Sequence, residues 1–155
     1  NNHRRSSKMI RLIFILLFIV INSTFELSAL EKNQLTIINK HNLTHGFVVE
    51  VARTNEEKKR GLMFRKTLDA NSGMLFLYQR EALQLMWMKN TLIPLDILFI
   101  DKTGIITRIV ERAVPHSLAT ISSRGKVLAV LELKGGLTSR LDIKRGDKVS
   151  HPAFN

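Results

Sequence analysis

The chain is 155 residues long, 45% hydrophobic and 24% charged, which is typical of one globular domain and excludes disordered and collagen-like classes. It contains no cysteine, which excludes disulfides, thiolate metal sites and cysteine nucleophiles. Its formal net charge of +11 favours encounters with anionic surfaces. The basic residues are scattered rather than clustered as in a nucleic-acid footprint, so we expect no nucleic-acid partner.

The first thirty residues have the pattern of a secretion signal. Ten consecutive apolar residues run from Leu12 to Ile21, after a basic stretch and before a polar one. A lasting transmembrane helix takes about 20 apolar residues, so we predict a signal peptide over residues 1–29, cleaved after Ala29. Membrane contact would then be made only through this signal before cleavage. An uncleaved anchor is the alternative, and Met9 is an alternative translation start.

Cleavage would leave residues 30–155 as a single domain, exported to the periplasm or secreted. Four of the 24 basic residues and one of the 13 acidic residues precede Leu30, so this domain would carry a net charge of +8. Such a charge favours an anionic component of the cell envelope as partner, with an envelope protein as the alternative.

Beyond Glu31 the apolar residues mostly alternate with polar ones, as in half-buried strands. The predicted strands cover residues 35–38, 47–52, 73–78, 83–88, 95–101, 105–110, 127–133 and the neighbourhood of 149. Thr54 and Glu57 have the spacing of a capping box, which predicts a short helix from Asn55 to about Leu62, and a helical turn is expected over 138–141. We therefore predict a mainly β fold, a compact antiparallel β-barrel or sandwich with one or two short helices.

Ordered motifs extend over nearly all of residues 47–149. They are Val49–Ala52, Arg60–Arg65, Gly73–Phe76, Trp87–Asp101, Val130–Gly136 and Ile143–Val149. In this order they resemble an uncharacterised prokaryotic family, the domain of unknown function family 192. The resemblance implies an exported, compact, β-rich domain, and it implies no activity or ligand.

The segment from Met88 to Asp96 places polar groups between two apolar strands and is the leading candidate for a ligand-binding site. Asn90 can both donate and accept hydrogen bonds, and Lys89 can hold an anionic group. The alternative is structural, with Asn90 building a turn and Asp96 accepting backbone N–H bonds that lock the loop.

Arg65 and Glu132 are the other charged candidates for ligand binding. A buried Arg65 would pair with Asp96 or Glu132, because an unpaired buried charge is costly. Such a cluster would bind a carboxylate or phosphate, or would only fasten the helix to the sheet. Strand alternation points Glu132 outward to solvent. If Glu132 and Asp96 instead converged beside Lys89, the protein would be a hydrolase or lyase.

Several methionines lie near the single tryptophan and offer soft ligands for Cu(I): Met63, Met74, Met86 and Met88. A periplasmic Cu(I)-binding protein is therefore the second alternative, although core packing explains the same residues. No recognisable pattern of histidine ligands and no catalytic motif is present in the sequence. We predict no metal and no cofactor, and a non-enzymatic binding or accessory module for a polar or anionic ligand.

Overall fold

Between residues 29 and 154 the chain forms seven β-strands. The computed structural model describes residues 29–154, so the predicted signal peptide and the alternative start lie outside the described residues, except for Ala29. The strands are β1 (Lys32–Ile38), β2 (Thr44–Ala52), β3 (Ser72–Met86), β4 (Leu95–Ile100), β5 (Ile106–Ala113), β6 (Ile121–Lys134) and β7 (Lys148–Ser150). The helices are α1 (Asn55–Arg60) and α2 (Leu137–Arg140), and a 3-10 turn covers Pro152–Phe154.

The strands form a single sheet in the order β5-β4-β6-β3-β2-β1-β7, curled into a half-barrel. An isolated bridge between Ile105 and Lys148 brings the two ends of this sheet together. The predicted mainly β fold with short helices is confirmed. The pairing is antiparallel except between β2 and β3, which run parallel because the chain crosses over through α1 between them.

β3 is one bent strand, where the sequence predicted two separate strands over 73–78 and 83–88. Leu77 of β3 pairs with Ala129 of β6, but Ala82 pairs with Val127. The residues of β3 between Leu77 and Ala82 therefore lie opposite only one residue of β6. Such an irregularity bends the strand locally without ending it. The strand ends at Met86, and Met88 therefore belongs to the following loop.

The sheet is buried on both faces, and each face has its own hydrophobic cluster. We call the cluster inside the curl the inner core, since it unites the facing end strands through Ile106 and Val149. The cluster on the other face, the outer core, is covered by Leu62 from the turn after α1 and by Met88. Both clusters are formed by residues between Leu30 and Phe154, so this part of the chain carries its own core.

The capping box that predicts the first helix is present at the N-terminus of α1. The Thr54 hydroxyl accepts the Glu57 N–H at 3.1 Å, and the Glu57 carboxylate accepts the Thr54 N–H at 2.8 Å. Gly61 then ends α1 with a φ of 48°. Among residues 29–154, no helix has the length and hydrophobicity that crossing a membrane requires.

Candidate functional site

Asp96 is a fully buried carboxylate whose oxygens are occupied by the protein itself. It accepts hydrogen bonds from the N–H groups of Arg112, Gly136 and Thr138 at 2.8 Å each, and from the Thr138 hydroxyl at 2.7 Å. These donors lie at the end of β5 and the beginning of α2. Asp96 therefore ties β4 to both elements, and its hydrogen bonds leave it no role in holding a ligand.

Glu132 projects from the opposite face of the sheet. In the register of β4 and β6, Asp96 lies opposite Leu133 and Ile97 lies opposite Glu132, and neighbouring residues of a strand point to opposite faces. Asp96 and Glu132 therefore do not meet, and the hydrolase alternative lacks its carboxylate pair. The expectation that Glu132 is solvated is wrong, because β6 is a central strand covered on both faces. Burial raises the pKa of Glu132 to about 8.

Arg65 forms an ion pair with Glu50, and not with Asp96 or Glu132 as expected. The reason is its place in the turn after α1, which lies over the β2 side of the sheet. Glu50 lies opposite Met74, which in turn lies opposite Glu132, so one strand separates the two glutamates in the sheet. The pair of Arg65 and Glu50 fastens the turn after α1 to β2.

The residues from Met88 to Asn90 do not form a polar pocket with Asp96. Met88 is completely buried in the outer core, whereas Asp96 points to the inner side. The Lys89 ammonium lies 5.0 Å from the ring centroid of Trp87. Asn90 adopts a left-handed φ of 53° within a turn. Within residues 29–154, no three His, Asp or Glu side chains come together as a metal site.

The structure instead forms a cationic cavity that the sequence did not predict. We call it the basic groove, and its volume is about 680 Å³. Its lining residues are Thr107, Arg108, Ile109 and Glu111 of β5, Ser123, Arg124, Gly125 and Lys126 of β6, and Ile143, Lys144 and Arg145 after α2. Five of these side chains are basic and one is acidic, which makes the groove a candidate site for an anion.

Two arginines of the basic groove lie close together at β6. The Arg108 guanidinium donates to the carbonyl oxygen of Ser122 and lies 5.9 Å from the ring centroid of Phe99. Arg124 adopts a left-handed φ of 58°, and its N–H donates to the Ser122 hydroxyl at 3.1 Å. Partial burial and the nearby Arg124 guanidinium lower the pKa of Arg108. The fold therefore holds two like charges close together.

The positive charge of the basic groove is mostly uncompensated. Its one carboxylate, Glu111, lies 3.6 Å from Arg112, which does not line the groove. Lys144 is paired with Asp142 at 2.5 Å. The other four basic residues have no carboxylate within 4 Å among residues 29–154: Arg108, Arg124, Lys126 and Arg145. An anionic ligand would relieve this repulsion, and the volume is in the range of ligand pockets.

Sequence reasoning missed the basic groove because its three segments are far apart in the chain. The available signals were weak, namely Arg124-Gly125-Lys126 and the pair Lys144-Arg145. Short basic runs of this kind usually mark a solvated surface. Only the approach of β5, β6 and the segment after α2 joins them into one site.

Comparison with known proteins agrees with the observed fold. The family model DUF192, described as "Uncharacterized ACR", matches residues 36–151. One similar crystal structure, from Sinorhizobium meliloti 1021, is described as "a putative transcription regulator". It is 40% identical in sequence to this chain, with a TM-score of 0.80, and the match covers 81% of this chain and 98% of that chain. A protein of unknown function from Novosphingobium aromaticivorans DSM 12444 is 40% identical with a TM-score of 0.77, covering 83% and 91%. No curated protein matches the chain.

Proposed function

The chain belongs to the uncharacterised DUF192 family, and from its own residues we propose that it is a non-enzymatic binding module of the cell envelope that holds an anionic ligand in the basic groove. The observation that carries the proposal is a cavity lined by four cations that have no carboxylate within 4 Å among residues 29–154. Keeping like charges together disfavours the folded state unless a counter-charge is present. A ligand with several anionic oxygens supplies that counter-charge.

The chemistry of the side chains indicates which anions fit. Arg108 and Arg124 carry planar guanidinium groups, which match carboxylate and phosphate geometry with two parallel hydrogen bonds. Lys126 and Arg145 extend the positive surface, so a ligand with repeated anionic groups makes more contacts than a single ion. We therefore expect carboxylate-bearing or phosphate-bearing oligomers to bind more tightly than inorganic phosphate.

The proposed location in the envelope rests on the N-terminal sequence. The run from Leu12 to Ile21 has the length and the flanks of a secretion signal, and the domain after it carries an excess of basic residues. A basic surface attracts anionic polymers. Export places the basic groove in contact with envelope polymers, whether the domain is released or remains anchored.

The test is a titration of residues 30–155 with several probes in a calorimeter. The probes are an acidic oligosaccharide, a neutral oligosaccharide, inorganic polyphosphate, inorganic phosphate and a short DNA duplex. The duplex is included because of the description of the Sinorhizobium protein. We expect saturable binding of an acidic probe that weakens when salt is raised, because exposed charges are screened beyond about 10 Å at 0.1 M ionic strength.

A pair of double variants distinguishes the groove from the overall charge. Arg108→Gln with Arg124→Gln removes two groove cations, whereas Lys59→Gln with Arg80→Gln removes the same charge from exposed positions elsewhere. We expect the groove variant to bind at least about 10-fold more weakly, equivalent to about 1.4 kcal/mol, and the control to change less than about 2-fold. Equal weakening in both variants, saturable binding of the DNA duplex alone, or no saturable binding of any anionic probe would refute the proposal.

A further inference from the structure

A second surface is distinguished by exposed apolar side chains. Eight large hydrophobic residues are exposed among residues 29–154, and seven of them belong to the segment between residues 64 and 118. Five lie in three loops and define what we call the apolar rim: Phe64, Trp87, Leu92, Val114 and Leu118, which are 63%, 43%, 37%, 67% and 67% exposed. Leu83 and Leu85 alternate along β3 toward Trp87 and continue this exposed surface. Apolar patches of this kind mark interaction sites.

We propose that the apolar rim docks on the surface of a bilayer that contains anionic lipids. This inference does not depend on the basic groove, which lies between β5, β6 and the segment after α2 and shares no lining residue with the rim. It also goes beyond the expectation that only the N-terminal signal contacts a membrane.

The rim residues are displayed by loops that are bonded to one another. The N–H groups of Phe64, Met88 and His116 donate to the carbonyl oxygens of Asn90, Ser117 and Thr91 at 2.9, 3.0 and 3.1 Å, respectively. Phe64, Asn90 and His116 all have a positive φ, a conformation that costs energy in a residue other than glycine. The surrounding hydrogen bonds hold these residues in that conformation, so the fold presents the apolar groups on a fixed surface.

The charges of the three loops match anionic lipid headgroups. Residues 61–66, 87–94 and 113–119 contain no Asp or Glu but include Lys66 and Lys89. Glu50, Glu56 and Glu57 lie in the cavity beside Phe64, so the cationic part of the rim is at Trp87 and Lys89. The Lys89 ammonium lies 5.0 Å from the ring centroid of Trp87. Tryptophan prefers the depth of the headgroups in a bilayer, and a lysine beside it extends its ammonium toward lipid phosphates. Each basic residue near an anionic membrane contributes about 1 kcal/mol of attraction.

An uncleaved N-terminal signal would keep the rim close to a membrane. Leu30 packs against the outer core, and Ala29 and Leu30 line one cavity together with Met63 and Phe64. Seven residues separate Ile21, the end of the apolar run, from Ala29. That length of chain reaches at most about 28 Å. While the apolar run is inserted in a bilayer, Phe64 is therefore within reach of the same bilayer.

The single tryptophan of the chain lies in the rim and reports directly on docking. Residues 30–155 are titrated with vesicles of phosphatidylcholine alone and with vesicles containing equal parts of phosphatidylglycerol and phosphatidylcholine. We expect a blue shift of Trp87 emission and protection from acrylamide with the anionic vesicles only. Absence of both signals with the anionic vesicles would overturn the proposal.

Three variants, each checked for an unchanged thermal transition, locate the contact. Val114→Ser with Leu118→Ser should weaken vesicle binding at least about 10-fold, because two apolar side chains lose their burial in the interface. Leu43→Ser removes a leucine that is 58% exposed and lies outside the surface, and it should change binding less than about 2-fold. Arg108→Gln with Arg124→Gln should leave docking within about 3-fold. If Arg108→Gln with Arg124→Gln abolishes vesicle binding while Val114→Ser with Leu118→Ser keeps it in full, the proposal is overturned. The basic groove is tested separately, by calorimetry with soluble anions.

Discussion

Replacing Glu132 by glutamine is expected to change how the stability of the protein depends on pH. Glu132 lies on β6 between Met74 of β3 and Ile97 of β4, in the outer core. Among residues 29–154, no cation lies within 4 Å of its carboxyl group. Burial without a counter-charge disfavours the carboxylate, which is why the pKa of Glu132 is raised to about 8 from an ordinary value of 4.5.

The size and sign of the effect follow from this difference in pKa. Between pH 4.5 and pH 8 the folded protein keeps a proton that the unfolded chain releases, so the free energy of unfolding falls as pH rises through this range. One pKa unit corresponds to 1.36 kcal/mol, so relative to pH below 4.5 the free energy of unfolding is lower by about 3 kcal/mol at pH 7 and by about 5 kcal/mol above pH 8. Glutamine has nearly the same shape and never ionises, so it removes this cost.

The assay is urea unfolding of Glu132→Gln and the unsubstituted protein, followed by circular dichroism at pH 4, 6, 7 and 9. The stability of the variant relative to the unsubstituted protein should rise by about 3 kcal/mol between pH 4 and pH 7. Glu56→Gln changes an exposed glutamate of α1 and should show a difference within about 0.5 kcal/mol at each pH. If the advantage of Glu132→Gln varies by less than about 1 kcal/mol across this range, the folded protein holds Glu132 ionised and the reasoning is refuted.

Two further substitutions test how the sheet is fastened, each measured by urea unfolding at pH 7. Asp96→Asn places an amide donor against N–H and hydroxyl donors and should lower the free energy of unfolding by about 3 kcal/mol. The control Asp142→Asn changes an exposed carboxylate and should lower it by less than about 1 kcal/mol. Equal losses in the two variants would contradict the buried network around Asp96. Gly73→Ala should lower the free energy of unfolding by about 3 kcal/mol, because its Cβ would lie 2.7 Å from the Glu132 carbonyl oxygen. In the control Gly46→Ala, the new Cβ meets nothing within 4 Å. If Gly73→Ala leaves the stability unchanged, β3 and β6 can separate at this position.

Local features of the fold could be predicted because they depend on residues close together in sequence. Alternation located most strands, and Thr54 with Glu57 marked the beginning of α1. The bend that joins two predicted strands into β3 could not be predicted, because it depends on the pairing with β6, about 45 residues later. Similarly, the parallel pairing of β2 with β3 depends on where the crossover through α1 places the chain.

The candidate sites show the same division. The sequence singled out Asp96 and Glu132 as unusual carboxylates, and both are buried. It could not tell that they point to opposite faces, nor that Arg65 finds Glu50, because each of these facts depends on strand register. A register shift of one residue would reverse the faces of all side chains of a strand.

The sequence by itself determined the excess of positive charge, the membership of the family, the mainly β class and the local capping of α1, since each depends on composition or on neighbouring residues. Only the tertiary structure decided which of the scattered cations meet. The basic groove joins Arg108, Arg124 and Arg145 from three separate segments, and the apolar rim joins three loops through backbone hydrogen bonds. Both surfaces arise from contacts between distant parts of the chain, and such contacts leave no periodic signal in the sequence.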